Sequence, residues 1–211
     1  RRIAGIPKQL PAGHAELEVR GEVYMPLSVF RGYESDYANP RNLAAGALKT
    51  KDPEESAGYR LAFFAYDLLG EELPTEIDKF ARLRELGFTA VPHRLLGRGD
   101  VQRFFDGLSA ERERFDYETD GVVFRANRVD EQRRLGITAH HPRFAIAYKF
   151  QGESGTSVLR EVFWSVSRTG AINPVAIVEP VELSGAMVSR ATLHNLAFVE
   201  SLGLTIGAKL L

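Results

Sequence analysis

No cysteine occurs in the 211 residues, which excludes disulfides and thiolate metal sites within the sequence and suits a reducing compartment. No apolar run approaches the roughly 20 residues of a membrane span. The opening Arg1-Arg2-Ile3-Ala4-Gly5-Ile6-Pro7 has no apolar signal-peptide core, so a cytoplasmic protein without a membrane partner is expected. A dominant charge is missing too: 27 Lys and Arg face 28 Asp and Glu, a net charge of −1, so no global field draws the chain to nucleic acid. Internal repeats and low-complexity tracts are lacking. What is present is ordinary for a chain with a buried core: 44% apolar and 26% charged residues, enough for one large domain or one domain plus part of a second.

Along the chain, residues 1–15 hold Pro7, Pro11 and Gly13 and read as a loop. Residues 16–26 alternate as a strand, with Leu17, Val19, Gly21, Val23 and Met25 on one face and Glu18, Arg20, Glu22 and Tyr24 on the other. Pro40 disfavours a helical Asn39 and suits a helix start, and the small residues after it suit close packing. Residues 61–69 are apolar on both faces, which predicts a central strand. Thr75 and Asp78 resemble a capping pair before a helix with the stripe Ile77, Phe80, Leu83 and Leu86, and Gly87 suits its C-cap. A short strand is expected at 88–91, and a second helix over 100–115, with the stripe Val101, Phe104, Phe105, Leu108 and Phe115. Strands at 117–125 and 144–150 flank a short basic helix at 128–135 that Gly136 ends. Beyond Phe150, residues 151–157 read as a Gly/Ser linker. Strands at 158–166, 175–183 and 187–193 follow, with Ser184-Gly185 as a turn, then a helix near 197–202 and a strand from 205: a small β-barrel cut short. The fold class is α+β over 1–152, followed by an incomplete β domain over 153–211.

Charges within apolar strands are costly unless paired, and a bound nucleotide is one way to pair them. Glu22, Asp120, Arg125 and Lys149 stand out on that ground; the competing reading is that they are solvated or salt-bridged scaffold charges. Strict alternation puts Asp120 and Arg125 on opposite faces unless Gly121 resets the phase. Arg41, in the first turn of a helix with free backbone N–H groups, is a plausible anion contact. Residues 125–149 carry six Lys and Arg (Arg125, Arg128, Arg133, Arg134, Arg143, Lys149) against Asp130 and Glu131, with His140 and His141 beside them, which makes a local basic patch. Phe163 and Trp164 read as barrel core rather than as a base-stacking platform, and His194 as structural before it is a DNA contact.

The order of segments resembles the NAD-dependent DNA ligase family: its adenylation domain, a partial nucleotidyltransferase fold here, followed by the start of its OB-fold. The motifs are E-V-R-G-E-V-Y-M-P (18–26), A-N-P-R-N-L-A-A-G-A-L (38–48), D-G-V-V (120–123), G-I-T-A-H-H-P-R-F-A-I-A-Y-K-F (136–150), R-T-G-A-I-N-P-V-A (168–176) and V-S-R-A-T-L-H-N (188–195). The A-N-P-R-N and A-T-L-H-N runs separate this family from ATP-dependent ligases and capping enzymes.

The resemblance implies that a lysine in a K-x-D-G motif attacks the adenylate phosphorus of NAD, that AMP passes to the 5′-phosphate of a nick, and that the 3′-hydroxyl displaces it. It implies NAD and Mg²⁺ (or Mn²⁺) as small-molecule requirements, nicked duplex DNA as partner, and a monomeric bacterial, nucleoid-associated enzyme. Zinc is implied only in a domain outside this chain. By the same resemblance Glu22 meets the ribose or the metal's surroundings, Asp120 lies near lysine and metal, and Lys149 and Arg125 bind the nucleotide. Arg41 and Arg112 act in the phosphate steps. Lys49, Arg128, Arg133, Arg134, His140, Arg143 and Arg168 are candidate DNA contacts.

The departures are equally legible. No lysine precedes x-Asp-Gly, so a fragment that starts after the nucleophile motif and cannot self-adenylate is expected. Arg125 stands where the family usually has lysine, Lys49 where it has arginine, Gln151 where it has proline and Ser167 where it has glycine. A non-catalytic nucleic-acid-binding remnant, using the OB half and the basic segment, is the alternative function.

Overall fold

The computed structural model describes residues 3–11, 16–150, 152, 154–183 and 186–211. Gln151 and Glu153 of the expected linker, the expected Ser184-Gly185 turn and part of the opening loop lie outside them; residues 154–156 carry no helix or strand, and β5 begins at Ser157. The chain divides into two compact units, residues 1–150 and 151–211.

In the first unit, β1 (Glu18–Tyr24) pairs antiparallel with β2 (Ala62–Leu69). The alternation of β1 is kept, with Glu18, Arg20 and Glu22 exposed. A bulge shifts the register between Arg20 and Gly21, so that Arg20 faces Asp67 and Gly21 faces Ala65. Tyr66 is thereby left unmatched and exposed. The other edge of β2 is also bonded: Phe63 N–H donates to the Ala4 carbonyl, and Ala65 N–H to that of Thr89. β2 is thus central, as its two-faced apolarity predicts, although the neighbours on that edge are single bridges at Ala4 and Ala90. The strand expected at 88–91 shrinks to the second of these bridges.

Two buried clusters flank this ribbon. Met25, Phe30, Leu43, Ala44, Ala47 and Leu61 form one. It joins the end of β1 to α1 (Leu27–Phe30) and α2 (Pro40–Ala47). α2 starts where the sequence places it: Pro40 occupies the first turn, and the Asn39 side chain accepts from Asn42 N–H at 2.8 Å. α3 (Pro53–Gly58) follows, capped by Asp52. The second cluster packs Ala65 and Leu68 against Leu83 and Leu86 of the next helix, α4 (Glu76–Glu85). Thr75 accepts from Asp78 N–H, which confirms the capping pair, and Gly87 takes φ +89° just past the C-cap. α5 (Val101–Glu111) ends earlier than expected, and residues 112–114 continue as a 3₁₀ turn.

β3 (Gly121–Arg125) and β4 (Ala145–Lys149) form a two-stranded ribbon, joined through α6 (Val129–Leu135), which Gly136 terminates at φ +71°. The expectation of two buried strands is not met. Residues 117–120 are not strand, Ile146–Lys149 are exposed, and Val123 is open to solvent. A two-stranded ribbon has no further strand or layer to cover both faces, so Asp120 and Lys149 at one end are held in water, whereas Arg125 at the other is half-buried against Glu76.

In the second unit the sheet order is β7-β6-β5-β8, with β5 Ser157–Val166, β6 Ile172–Leu183, β7 Ala186–Thr192 and β8 Lys209–Leu210. α7 (Leu196–Leu202) closes on a left-handed Gly203. Leu159, Ala176, Val178 and Leu193 are the core. Phe163 and Trp164 are not core: each is more than 40% exposed. A bulge between Leu159 and Glu161 shifts the strand's phase, so that Val162 packs on the core and Phe163 faces away; Trp164 shares the phase of Val162 but is not part of the core cluster.

Candidate nucleotide site

Two neighbours decide the geometry at the start of β3. Gly121 lies opposite Lys149 in the ladder, and Phe150 N–H donates to the Asp120 carbonyl at 2.8 Å. The close pairing brings Lys149 Nζ to 3.0 Å from the Asp120 carboxylate. Both side chains are about 70% exposed or more, so their mutual attraction is screened and the pair is open to a ligand. The segment before it is fixed by contacts that are distant in sequence. Asp116 accepts from Ser28 N–H at 2.6 Å and from Ser28 Oγ at 2.7 Å, and these bonds hold its carboxyl below the usual aspartate range. Leu27 N–H donates to the Asp116 carbonyl.

Tyr117 then lies edge-on to Tyr24 and Phe64, at 5.8 and 5.2 Å between ring centres. Tyr24 and Phe64 share the β1–β2 face that carries Glu22, because Glu22 and Phe64 are register partners. The D-G turn is in this way moored to the Glu22 face, with Asp120 three residues beyond the ring that makes the contact. On the other flank, Phe105 of α5 stacks on Tyr148 at 4.1 Å and Phe150 at 4.9 Å. The Arg112 guanidinium lies over the Phe150 ring at 5.2 Å.

Asp120 and Lys149 therefore meet at one end of the β3–β4 ribbon, Arg112 lies over Phe150 next to that end, and the Glu22 face is tied in through Tyr117. Arg41 is exposed in the first turn of α2, with no ion pair among the described residues. Arg125 is not with them. Its guanidinium is 2.8 Å from Glu76 and 3.9 Å from Asp67, at the other end of β3 from the Asp120–Lys149 pair. The alternation argument does not reach Asp120, which stands before the strand begins; the register puts Arg125 on the Lys149 face of the ribbon, four residues along β3 from Gly121.

The basic patch is largely neutralised within the chain. Arg128 pairs with Asp130, Arg133 with Glu72 at 2.9 Å, and Arg134 with Glu131 at 3.8 Å. Lys49, Arg143 and Arg168 carry no ion pair among the described residues, and His140 and His141 lie exposed on a turn held by Thr138. Among the described residues no group of three or more His, Asp or Glu is placed to hold a metal ion. Sequence reasoning missed Asp116, Tyr117, Glu76 and Gln132. Their long-range partners lie 49 to 93 residues away, so no local spacing betrays them.

An α+β unit bearing this aspartate–lysine pair, followed by a small β unit, defines an adenylation domain followed by an OB-fold. The sequence model of the NAD-dependent DNA ligase adenylation domain matches residues 1–153, and that of the NAD-dependent DNA ligase OB-fold domain matches residues 156–211. The chain belongs to the NAD-dependent DNA ligase family. It is 40% identical to a DNA ligase of Brucella anthropi over 218 residues, covering 97% of this chain and 30% of that protein. It is 44% identical to a DNA ligase of Chlorobaculum parvum over 206 residues, covering 93% and 31%. A DNA ligase of Desulforamulus reducens is 39% identical over the whole chain and 33% of its own length. The chain thus spans about a third of the relatives it matches. Among the described residues no helix is long and apolar enough to cross a membrane.

Proposed function

We propose that this chain supplies one wall of the nucleotide site and the OB-fold of a bacterial enzyme that seals nicks in duplex DNA during replication and repair, using NAD. The observation that carries the reading is the open Asp120–Lys149 pair at the D-G-V-V strand, within a chain that two ligase domain families cover end to end. Transfer of an adenylate needs cations around a phosphate that gains charge as the bond to the leaving group breaks. Lys149 is a compact, exposed point charge suited to that phosphate. Asp120 holds the lysine in place until the nucleotide arrives. Arg112, set on the Phe150 ring, and Arg41, at the start of α2, offer further cations for the phosphate steps. Glu22 stands on the exposed β1 face as an acceptor for ribose hydroxyls.

A magnesium ion takes one or two carboxylates with phosphate oxygens completing its shell, and Asp120 and Glu22 provide that number. Bound there, it would offset phosphate charge. DNA contact falls to the cations that the chain leaves unpaired, Lys49, Arg143 and Arg168, with His140 beside them. Arg128, Arg133 and Arg134 would first have to give up their carboxylates.

In the full-length protein carrying this chain, Lys149→Ala should lower NAD-dependent self-adenylation by about 100-fold or more, as loss of a transition-state charge partner does. Activity within twofold of the unsubstituted protein would sink the assignment. The 211-residue chain contains no K-x-D-G lysine. Incubated alone with NAD and Mg²⁺, it should show no covalent AMP adduct by intact-mass spectrometry.

A further inference from the structure

Arg125 ends β3 and would ordinarily be counted among the cations of the site. Its surroundings give it a different task. Its guanidinium donates to Glu76 Oε2 at 2.8 Å, and Glu76 is 5% exposed at the first turn of α4. The other oxygen, Oε1, accepts from Gln132 Nε2 at 2.9 Å and lies 3.0 Å from Lys79 Nζ. Lys79 in turn reaches Asp67 of β2 at 3.1 Å. Two cations and two carboxylates thus close a neutral cluster, which leaves Arg125 little net field for a phosphate.

The same place is where three elements meet. Glu76 N–H donates to the Asn127 carbonyl, Ile77 N–H to the Asn127 side chain at 3.2 Å, and Val129 N–H to the Pro74 carbonyl. Gln132 also donates to the Ala126 carbonyl at 2.6 Å, just past the end of β3. The carboxylate and the N–H of Glu76 fasten β3 and α6 to the head of α4, with Lys79 of α4 as a further partner of Oε1. β3 begins at Gly121, next to Asp120.

We propose that Glu76 is a positioning residue of the nucleotide site: through Arg125 it anchors the far end of β3, and Arg125 contributes placement of Asp120 and Lys149 rather than charge to the nucleotide. This rests on the ligase reading above. An arginine fits the task where the family usually has lysine: one Nη of its guanidinium donates to Glu76 with Asp67 3.9 Å from the same nitrogen, and the group keeps its charge when half-buried, whereas a lysine there shifts its pKa more readily.

The test uses NAD titrations of self-adenylation in the full-length protein that carries this chain. Glu76→Gln and Arg125→Gln should each lower kcat about 10-fold and leave KM for NAD within about twofold, the pattern of a lost transition-state placement rather than of lost ground-state binding. The double substitution should be no worse than the poorer single one, because both act on one contact. The apolar pair Glu76→Leu with Arg125→Met leaves Gln132 its Ala126 carbonyl and Lys79 its Asp67 carboxylate. Well-packed apolar groups can replace a buried ion pair, so this pair should recover most of the lost kcat. A 10-fold rise in KM for Arg125→Gln, or additive losses in the double variant, overturns the proposal. So does a folded apolar pair without recovered kcat; if that pair fails to fold, KM in the single variants decides alone. The ligase reading fails separately, if the unsubstituted protein takes no AMP from NAD or Lys149→Ala has no effect.

Discussion

Gly121 is the residue on which the site's spacing depends. Its φ is unremarkable, so backbone freedom is not the reason for a glycine; the approach of β4 is. A Cβ at this position would sit 2.5 Å from the Tyr148 carbonyl oxygen and 2.7 Å from Lys149 Cα. These are backbone atoms that cannot swing aside. Gly121→Ala must push β4 outward at the residue that carries the pair, and overpacking of this kind costs about 1–3 kcal/mol. A Val123→Thr substitution on the same strand, at an open position, should change stability by no more than about 0.5 kcal/mol. Thermal unfolding of the two variants checks the contrast, and equal losses would show that the close approach is not what fixes the strand. The D-G pair is quoted easily from the sequence, but why glycine follows the aspartate is legible only once β4 is seen against it.

At the scale of elements, α2 was the easiest to read. Pro40 and Asn39 fix its start with local chemistry, and the Asn39 side chain satisfies one of the N–H groups the helix leaves free. Asn39→Ala should cost about 1 kcal/mol, Asn39→Asp much less, and both are read from chemical denaturation midpoints. A loss for aspartate equal to that for alanine would mean that the cap is not what Asn39 provides. α4 was legible for the same reason, through Thr75 and Gly87. The strands were harder. Alternation located β1 and β-rich composition located β5, but neither showed the bulges at Gly21 and near Arg160 that shift which residues beyond them are buried. Phe163 fell on the wrong side of that phase change, while Trp164, in phase with Val162, lies outside the core cluster. The β3–β4 ribbon misled in another way. Apolar composition suggested burial, but a ribbon of two strands keeps much of its surface in water, and the charges at its end are reachable for that reason. Asp120 and Lys149 were visible as residue types at quoted motifs. The aromatic moorings that place them join residues on separate elements, and a local pattern carries no record of such contacts.

At the scale of the whole molecule, the carboxylates set the response to acid. Among the described residues, three of them are held below their ordinary range in the folded chain. Burial pushes Glu76 up, but hydrogen bonds from Gln132, Lys79 and Arg125, with the charge of Arg125, outweigh it and bring it down. Asp116 is lowered by the Ser28 bonds, and Asp130 is lowered to about 2, chiefly by Arg128. Glu118 works in the opposite sense, its carboxyl pushed up by desolvation. A carboxyl with a depressed folded pKa contributes stability that is complete above its unfolded value, near 4, and is lost as pH falls through its folded value. The unfolded chain therefore binds more protons than the folded one between about pH 4 and pH 2, and stability should fall across that window. Glu76→Gln removes one contributor and should flatten the acid limb of a plot of unfolding temperature against pH, whereas Glu118→Gln should steepen it. Asp130 and Arg128 are exposed, so their share of the acid response should shrink in high salt. The buried Glu76 cluster should be nearly insensitive to salt. An acid limb that 1 M NaCl abolishes completely would place the acid sensitivity on the surface pairs and remove Glu76 from the account.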